Sequence, residues 1–415
     1  MQIFKDTNYD FLGKKWPFII ASLVLTVAGL TSLVLRGGPR YGIDFRGGAL
    51  MEVKFASPPS AERIRQALSR VIPGEVTVQS EVTGGAKDQV LIGTELRSDA
   101  QLAQARSLMT KTIEATFPAP DAGEGKVDFN NIGRAALASQ LRDPLVRNAV
   151  ALSDQQLNSL VDAMLSYRDK DRSGLVSSFD ELRSVPGVTP QVVQALKQVC
   201  DLAPFNIKRV ETVGPKVGGE LRQQAIFATL YALGGMLVYI WFRFEWIYGV
   251  AAVIAVFHDT IITIGLFSLF NKEISLTVIA ALLTLVGYSM NDTIVTFDRI
   301  RENLKILRRE KLESLVNKSV NQTLSRTILT SGLTFLTVLA LFLFGGPVLH
   351  GFSLALVLGI IVGTYSSVFV ASPIVLFWHD FADARTKKAP PAATSGLRQA
   401  AVKQPAGKSP VRVAK

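Results

Sequence analysis

Apolar residues along this chain of 415 residues are gathered into six long runs instead of being spread over alternating positions. Each run is about as long as the ~20 residues that a helix needs to cross the hydrocarbon core of a bilayer. The runs cover residues 16–35, 223–242, 247–270, 274–297, 327–344 and 348–378. The pattern predicts six membrane spans. The first is too long for the apolar part of a signal peptide and no A-x-A cleavage site follows it, so it is interpreted as an uncleaved anchor.

Between the first two runs, residues 36–222 return to the patterns of a water-exposed domain. Strand-like alternation at 50–55, 76–82, 89–93 and 206–213 is interrupted by helical patterns that end near residue 71 and cover 98–117. This β-α-β-β-α-β order, over 41–122 and 205–213, is typical of a ferredoxin-like split unit. Residues 123–204 interrupt it with a helical pattern. The predicted fold is therefore an α-helical polytopic membrane protein with six transmembrane helices and an α+β ferredoxin-like extracytoplasmic domain that carries a helical insert.

Basic residues at the ends of the runs predict the orientation. Residues 1–15, the predicted loop 298–326 and the tail 389–415 hold many lysines and arginines, whereas the two opposite short loops hold almost none. Both termini are therefore expected to be cytoplasmic and residues 36–222 to be outside. The net charge of +11 then reflects topology and contact with an anionic lipid bilayer, and no nucleic acid partner is predicted. The tail has almost no large apolar residues and is predicted to be disordered.

Ionisable residues within the runs are the candidate functional groups, because each costs roughly 2.5–3.5 kcal/mol at the bilayer centre. Asp292, beside Asn291, lies in the fourth run among residues too polar to face lipid. Asp259, beside His258, lies in the middle of the third run, and Arg326 lies at the start of the fifth. Two simpler interpretations stay open: Asp259 as a hydrogen-bonded packing group, and Arg326 as a topology marker that extends to the interface.

A movable arginine near a buried carboxyl group provides a proton switch. A low-dielectric cavity favours the neutral acid, and an approaching arginine favours the carboxylate. Moving Arg326 toward or away from Asp292 would therefore switch the acid between proton release and proton uptake. One charge crossing 100 mV of membrane potential is worth about 2.3 kcal/mol, which is enough to bias a conformational cycle.

The sequence shows no catalytic machinery. Its three histidines are scattered, Cys200 is its lone cysteine, and it has no phosphate-binding Gly-Lys-Ser/Thr loop. We therefore predict that the chain is not an enzyme and needs no cofactor.

One polar segment resembles part of a calcium-binding loop, with oxygen-bearing side chains at the first, third, fifth and last positions. These are Asp169, Asp171, Ser173 and Asp180. Asp180 stands where a bidentate Glu is expected, so a polar turn between two helices is the favoured interpretation and no metal is predicted.

Small residues in two of the runs indicate possible close helix packing. Gly359 and Gly363 form a G-x-x-x-G step in the sixth run, and Gly234 and Gly235 lie in the second. The alternative, glycine merely tolerated in a membrane helix, is open for both.

Several motifs together resemble the SecF family, membrane subunits of the Sec protein-export machinery within the RND transporter superfamily. The first is Tyr41-Gly-Ile-Asp44-Phe-Arg-Gly47-Gly48, which also occurs in related form in SecD. Others are Gly214-Pro215 within 213–221, His258-Asp259, Gly-Tyr-Ser-Met-Asn291-Asp292-Thr-Ile-Val at 287–295, and the segments 298–303, 324–327 and 344–353. The resemblance covers all six runs and most of the outer domain, but typical members lack the insert 123–204.

The resemblance implies a function that composition alone does not give. In that family the aspartate after the asparagine and the arginine that opens the fifth span belong to the proton pathway, and they correspond to Asp292 and Arg326. This favours Asp292 over Asp259. It also implies SecD, the SecYEG translocon and a translocating preprotein as partners, the bacterial cytoplasmic (inner) membrane as location, and proton-motive-force-coupled assistance of translocation as function. An RND-type exporter of small molecules or lipids and a passive translocase scaffold are the alternatives.

Overall fold

The structure is a computed structural model that describes residues 7–80, 88–96, 98–123, 125–243 and 245–388. The tail 389–415, predicted to be disordered, lies outside the described residues, as does the predicted end of one strand at 81–82. In chain order the helices are α1 (Lys15–Leu35), α2 (Ile43–Arg46), α3 (Ala61–Ser69), α4 (Asp99–Thr116), α5 (Arg134–Arg147), α6 (Asp154–Ser166), α7 (Pro190–Val199), α8 (Pro215–Arg243), α9 (Trp246–Leu269), α10 (Leu276–Ile306), α11 (Leu312–Phe344), α12 (Gly346–Ser366) and α13 (Ser372–Lys388). The strands are β1 (Gly48–Phe55), β2 (Val76–Ser80), β3 (Gln89–Glu95), β4 (Val127–Asp128), β5 (Cys200–Asp201) and β6 (Phe205–Val213).

Six helical segments among the described residues are long and apolar enough to cross a membrane, which confirms the six predicted spans. They are α1, α8, α9, α10, α11 and the continuous pair α12–α13, which a π-helical turn at Ser367–Ala371 joins. Helices α9, α10 and α12 form the centre, with α1 packed on α9 and α11 packed on α10 and α12. Half of the apolar window of α10 is buried, compared with 6% in α8. Helix α8 therefore lies at the outside of the bundle.

Helices α10 and α11 extend well beyond their apolar runs. Helix α10 continues to Ile306 and α11 begins at Leu312, so most of the predicted loop 298–326 is helical. The Asn303 side chain donates hydrogen bonds to Ser319 Oγ and to Gln322 Oε1, both at 2.8 Å. Since these polar side chains bind one another across the two helices, the helices persist where hydropathy ends. The predicted loop 298–326 was therefore too long, because hydropathy marks where the bilayer ends and not where a helix ends.

The outer domain contains a four-stranded antiparallel sheet with the strand order β2-β3-β1-β6. Its elements follow one another in the predicted β-α-β-β-α-β order. Alternate residues of β1, beginning with Ala49 and Met51, are buried against α3 and α4. The residues between them, including Leu50 and Glu52, point to the opposite face, which overhangs the membrane helices.

The insert folds around a hydrophobic core of its own, formed mainly by α5, α6 and α7. Its two ends meet in a short parallel pair, with Val127 opposite Cys200. Periodicity does not predict this pair because two-residue strands show no alternation. Asn130 Nδ2 donates to the carbonyls of Val176 at 3.1 Å and Ala203 at 2.9 Å, which ties the entry of the insert to its exit. The insert is thus a helical subdomain attached beside β6.

Candidate functional site

Asp292 lies on α10 and is only 3% exposed. Its Oδ2 accepts a hydrogen bond of 2.8 Å from the Ser331 hydroxyl of α11. The neighbouring Thr330 hydroxyl donates to backbone carbonyls at Arg326 and Thr327. The Thr330 side chain lies beside the same carboxyl group. The Asp292 carboxyl group is therefore buried between α10 and α11, with Ser331 as its hydrogen-bond donor.

Arg326 lies on the same helix as Ser331 but on a different face. The step of five residues from Arg326 to Ser331 rotates a helix by roughly 140° beyond a full turn at ~3.6 residues per turn. Arg326 is exposed, and no ion pair joins it to Asp292 within the described residues. Burying a carboxylate without a paired cation is costly. In this conformation Arg326 lies on the helix that packs against Asp292 and its charge acts on the carboxyl group, but the two side chains form no ion pair.

Asp259 lies on α9, is 1% exposed and is surrounded by donors. Its Oδ2 accepts hydrogen bonds from Ser289 of α10 at 2.5 Å and from Ser366 of α12 at 2.8 Å. Its Oδ1 is 2.8 Å from Nδ1 of His258. Nε2 of His258 is buried and has no hydrogen-bond partner within the described ranges. Asp259 therefore joins all three central helices through one carboxyl group.

Asp292 and Ser289, the partner of Asp259, lie on adjoining faces of α10. Ser289 binds Asp259 and precedes Asp292 by three residues, which places the two side chains about 60° apart on the helix. Asn291, predicted to support Asp292, is instead on the exposed side of α10. Sequence reasoning missed the serines. Of Ser289, Ser331 and Ser366, only Ser289 is marked by a local sequence pattern. Thr293 follows it four residues later, on the same side of the helix, and is also buried.

The two glycine pairs differ in the structure. A Cβ atom added to Gly363 would lie 3.1 Å from Ser289 Cβ, and one added to Gly359 would lie 2.4 Å from Leu285 Cδ2. Gly234 and Gly235 have open space around them. The G-x-x-x-G step thus brings α12 close to α10 beside Asp259, while the pair in α8 makes no such approach.

The segment 41–48, the first of the motifs described in the sequence, connects the outer domain to α10. Asp44 Oδ2 accepts a 2.8 Å hydrogen bond from the backbone N–H of Leu276, in the first turn of α10. The backbone also pairs there: Gly42 N–H donates to Ile274 O at 2.9 Å, and Ile274 N–H donates to Arg40 O at 2.7 Å. Because a carboxylate is stabilised at a helix N-terminus, Asp44 has a positioning role at the helix that carries Asp292.

The motif glycines allow three chain segments to pass very close together. Gly47 has φ 79° and Gly48 has φ 147°, conformations that favour glycine. A Cβ atom at Gly47 would lie 2.7 Å from Pro215 Cα, and one at Gly48 would lie 2.0 Å from the Thr94 carbonyl oxygen. Gly214 and Pro215, at the start of α8, thus pack on the start of β1. The segment 40–48 with its partners in 214–218 and 274–276 is called the clamp below.

The calcium-like segment is engaged in ion pairs. Asp169 pairs with Arg168 at 2.7 Å, and Asp180 pairs with Arg183 at 2.8 Å and with Lys197 at 3.1 Å. The described part of the chain contains no group of three or more His, Cys, Asp or Glu residues that could hold a metal ion. Asp169, Asp171, Ser173 and Asp180 are therefore not assembled into one ligand set.

Two family models match the chain. Residues 192–380 match the model described as protein export membrane protein SecD/SecF, C-terminal. Residues 34–59, which include most of the clamp, match the SecD/SecF GG motif. The matches thus cover α8–α12 and the start of the outer sheet.

Curated relatives match over nearly the full chain. The protein translocase subunit SecF of Koribacter versatilis is 51% identical over 394 residues, covering 92% of this chain and 94% of that protein. The protein translocase subunit SecF of Calditerrivibrio nitroreducens is 38% identical, covering 89% of this chain and 94% of that protein.

A solved structure gives the same picture. The crystal structure of SecDF, a translocon-associated membrane protein from Thermus thermophilus, is 31% identical with a TM-score of 0.59 and covers 90% of this chain. The match covers 39% of that chain, so this chain spans about two fifths of its length. From the matched models, the near full-length identity and the shared structure it follows that the chain belongs to the SecF family of protein translocase subunits.

Proposed function

We propose that this chain is a proton-motive-force-coupled accessory subunit that acts with SecD to complete preprotein translocation through the SecYEG translocon. The relatives are named protein translocase subunits, and the related SecDF chain is described as translocon-associated. That chain is more than twice as long as the part that matches, which leaves room for the SecD half. The proposal includes the bacterial cytoplasmic membrane as location.

The proposed orientation of the protein in the membrane follows from the distribution of its basic residues. Lysines and arginines concentrate at one end of the bundle, which supports a cytoplasmic location for both termini. The outer sheet, with its ferredoxin-like strand order, and the insert then lie in the extracytoplasmic space, where an emerging preprotein would meet them.

The observation that carries the proton coupling is the burial of Asp292 with one serine and no paired cation. In the proposed cycle a shift of α11 replaces Ser331 with Arg326 beside the carboxyl group. The arginine stabilises the carboxylate and releases the proton, and its withdrawal allows proton uptake. The backbone N–H of Leu276, at the start of α10, donates a hydrogen bond to Asp44. A movement of α10 would therefore be transmitted through the clamp to the outer sheet.

Exposed polar residues within the spans support a membrane partner. Arg326 on α11 and Asn291 on α10 are both exposed, although polar groups within a bilayer normally face protein or water. A second six-span half, supplied by SecD, would cover them. The same surface would bring the acids of the partner close to Asp292.

The test compares Asp292→Asn with Asp298→Asn, an exposed aspartate on the same helix. Each variant is reconstituted with SecD and SecYEG in vesicles, and preprotein export and proton flux are measured with and without an imposed proton gradient. We expect Asp292→Asn to remove the gradient-dependent part of export, because an amide cannot exchange the proton, and Asp298→Asn to retain it. Unchanged export by Asp292→Asn would favour a passive scaffold and exclude the coupled mechanism.

A further inference from the structure

A cavity of about 890 Å³ separates the outer sheet from the ends of the membrane helices. Its roof is the sheet face that α3 and α4 leave uncovered, with side chains of β1, β3 and β6. Its floor is the end of the bundle, where α9 meets α10 and α11 meets α12. The lining includes Leu50, Glu52, Leu91, Arg209 and Glu211 above, and Lys272, Leu276, Phe342, Leu343, Val348 and Leu354 below. Its volume lies within the range of ligand sites.

The floor of the cavity continues into the surface that faces lipid. Phe342 and Leu343 end α11, and Val348 and Leu354 belong to α12. Leu343 and Val348 are 43% and 47% exposed. An alkyl chain lying on this floor would pass without interruption into the hydrocarbon core, so the cavity is open to an amphiphile from the membrane.

The roof and the wall carry charges of both signs. Glu52, Glu211 and the ion-paired Arg209 point from the sheet, and Lys272 stands between α9 and α10. Burial raises the pKa of Glu52, and the nearby Arg209 and Lys208 oppose that shift. A ligand with its own cation would lower the cost of a charged Glu52. The complementary head group therefore contains both an ammonium and an anionic group.

We propose that this cavity binds a zwitterionic phospholipid with a primary ammonium head group, from the leaflet that faces the outer domain. The ammonium lies near Glu52 and Glu211, the phosphate lies near Lys272, and an acyl chain lies along Phe342 and Leu343. The geometry points to the membrane as the source because the floor is contiguous with lipid. This site does not depend on proton exchange at Asp292.

An extended polypeptide fits the cavity less well. Strands β1 and β3 are paired on both sides within the sheet, so their backbone N–H and C=O groups are not free to bind an added strand. Recognition of extended peptides by sheets uses a free edge. The part of the roof formed by β1 and β3 offers side chains only, which suits a head group.

The test measures phospholipid retained by the full chain. The protein is reconstituted in nanodiscs of equal parts phosphatidylethanolamine and phosphatidylglycerol, extracted in mild detergent and passed through gel filtration, and its lipid is quantified by mass spectrometry. We expect about one phosphatidylethanolamine per chain for the wild type. Lys272→Glu, which replaces the phosphate partner with a like charge, should weaken retention by about tenfold or more. Leu50→Trp, which fills the cavity from the roof, should abolish retention.

Matched variants separate the cavity from general lipid contact. Leu23→Trp places the same ring on the exposed face of α1, and Lys170→Glu makes the same charge change on the exposed surface of the insert. Both should retain lipid as the wild type does. Equal retention in all five proteins would overturn the proposal, and so would preferential retention of phosphatidylglycerol. The proposal would likewise be contradicted if an extended apolar peptide displaced the lipid and Leu50→Trp did not reduce lipid retention.

Discussion

Two buried aspartates, Asp259 on α9 and Asp292 on α10, differ in how many hydrogen-bond partners they have. Asp259 accepts hydrogen bonds from two serines and contacts a histidine, and these groups come from three helices. Asp292 accepts one hydrogen bond from one serine. Both are almost completely buried, so depth does not distinguish them. The difference lies in the number of partners.

A carboxyl group with many partners is tied into the packing of the helices, because any movement must rearrange all of its hydrogen bonds. A carboxyl group with one partner can change charge with a small local movement. We therefore expect Asp259 to matter chiefly for the packing of the central helices and Asp292 chiefly for function. Three predictions test this contrast and a fourth tests the attachment of α10 to the outer domain, from the largest expected effect to the smallest.

Replacing each aspartate with alanine should affect folding unequally. Asp259→Ala leaves two serine hydroxyls and a histidine without their acceptor, and each such buried group costs about 1–3 kcal/mol. We expect a loss of about 3 kcal/mol or more in the free energy of unfolding, against about 1 kcal/mol for Asp292→Ala. Unfolding with denaturant in detergent measures both. Equal losses in the two variants would remove the contrast.

A methyl group at the helix crossing beside Asp259 should disturb it from the other side. In Gly363→Ala the added Cβ would lie 3.1 Å from Ser289 Cβ and 3.6 Å from Asp259 Oδ2. Overpacking of this kind costs about 1–3 kcal/mol. Gly234→Ala, on the open face of α8, is the control and should be neutral or stabilising, because alanine favours a helix by up to ~1 kcal/mol over glycine. Thermal unfolding of both variants decides whether the crossing is tight.

Removing one serine hydroxyl should separate stability from function. Interhelical hydrogen bonds in membranes average about 0.6 kcal/mol, so Ser366→Ala and Ser331→Ala should each cost little stability. Ser331→Ala removes the hydroxyl group that donates to Asp292 at 2.8 Å, whereas Ser366→Ala leaves Asp259 with Ser289 and His258. We expect it to shift the pH dependence of export, while Ser366→Ala leaves that profile unchanged. A shift caused by Ser366→Ala alone would assign the proton to Asp259.

A third acid, Glu273, lies just before α10 and tests how firmly that helix is held to the outer domain. Burial raises its pKa above the ordinary 4.5, opposed by Arg40 and Arg46. Folding therefore favours its neutral form more than the unfolded chain does. The contribution of Glu273 to stability is complete below its ordinary pKa and is lost as pH rises through the raised value.

Glu273→Gln should therefore flatten the pH dependence of unfolding in mildly acidic solution, by less than about 1 kcal/mol because the side chain is partly solvated. The measurement is the unfolding midpoint as a function of pH, with the exposed Glu220→Gln as control. A midpoint that falls more steeply with rising pH in Glu273→Gln than in the wild type would contradict this sign.

The spans and the burial of Asp292 within protein were predictable because bilayer thickness and the cost of burying charge act on any sequence. The partners of the two aspartates were not. Ser331 lies 39 residues from Asp292, and Ser366 lies 107 residues from Asp259, so no local pattern pairs them. Hydropathy also placed the end of α10 too early and the start of α11 too late. The polar ends of these two helices are stabilised by hydrogen bonds with each other.

The short parallel pair of Val127 with Cys200 places both ends of the insert side by side. A peptide bridge of a few residues would therefore rejoin the sheet if the whole subdomain were removed, and an unrelated folded module of similar end spacing would fit in its place. The paired ends of the insert are thus a point where one folded module can be exchanged for another. A fluorescent protein inserted there would report the position of the outer domain in living cells.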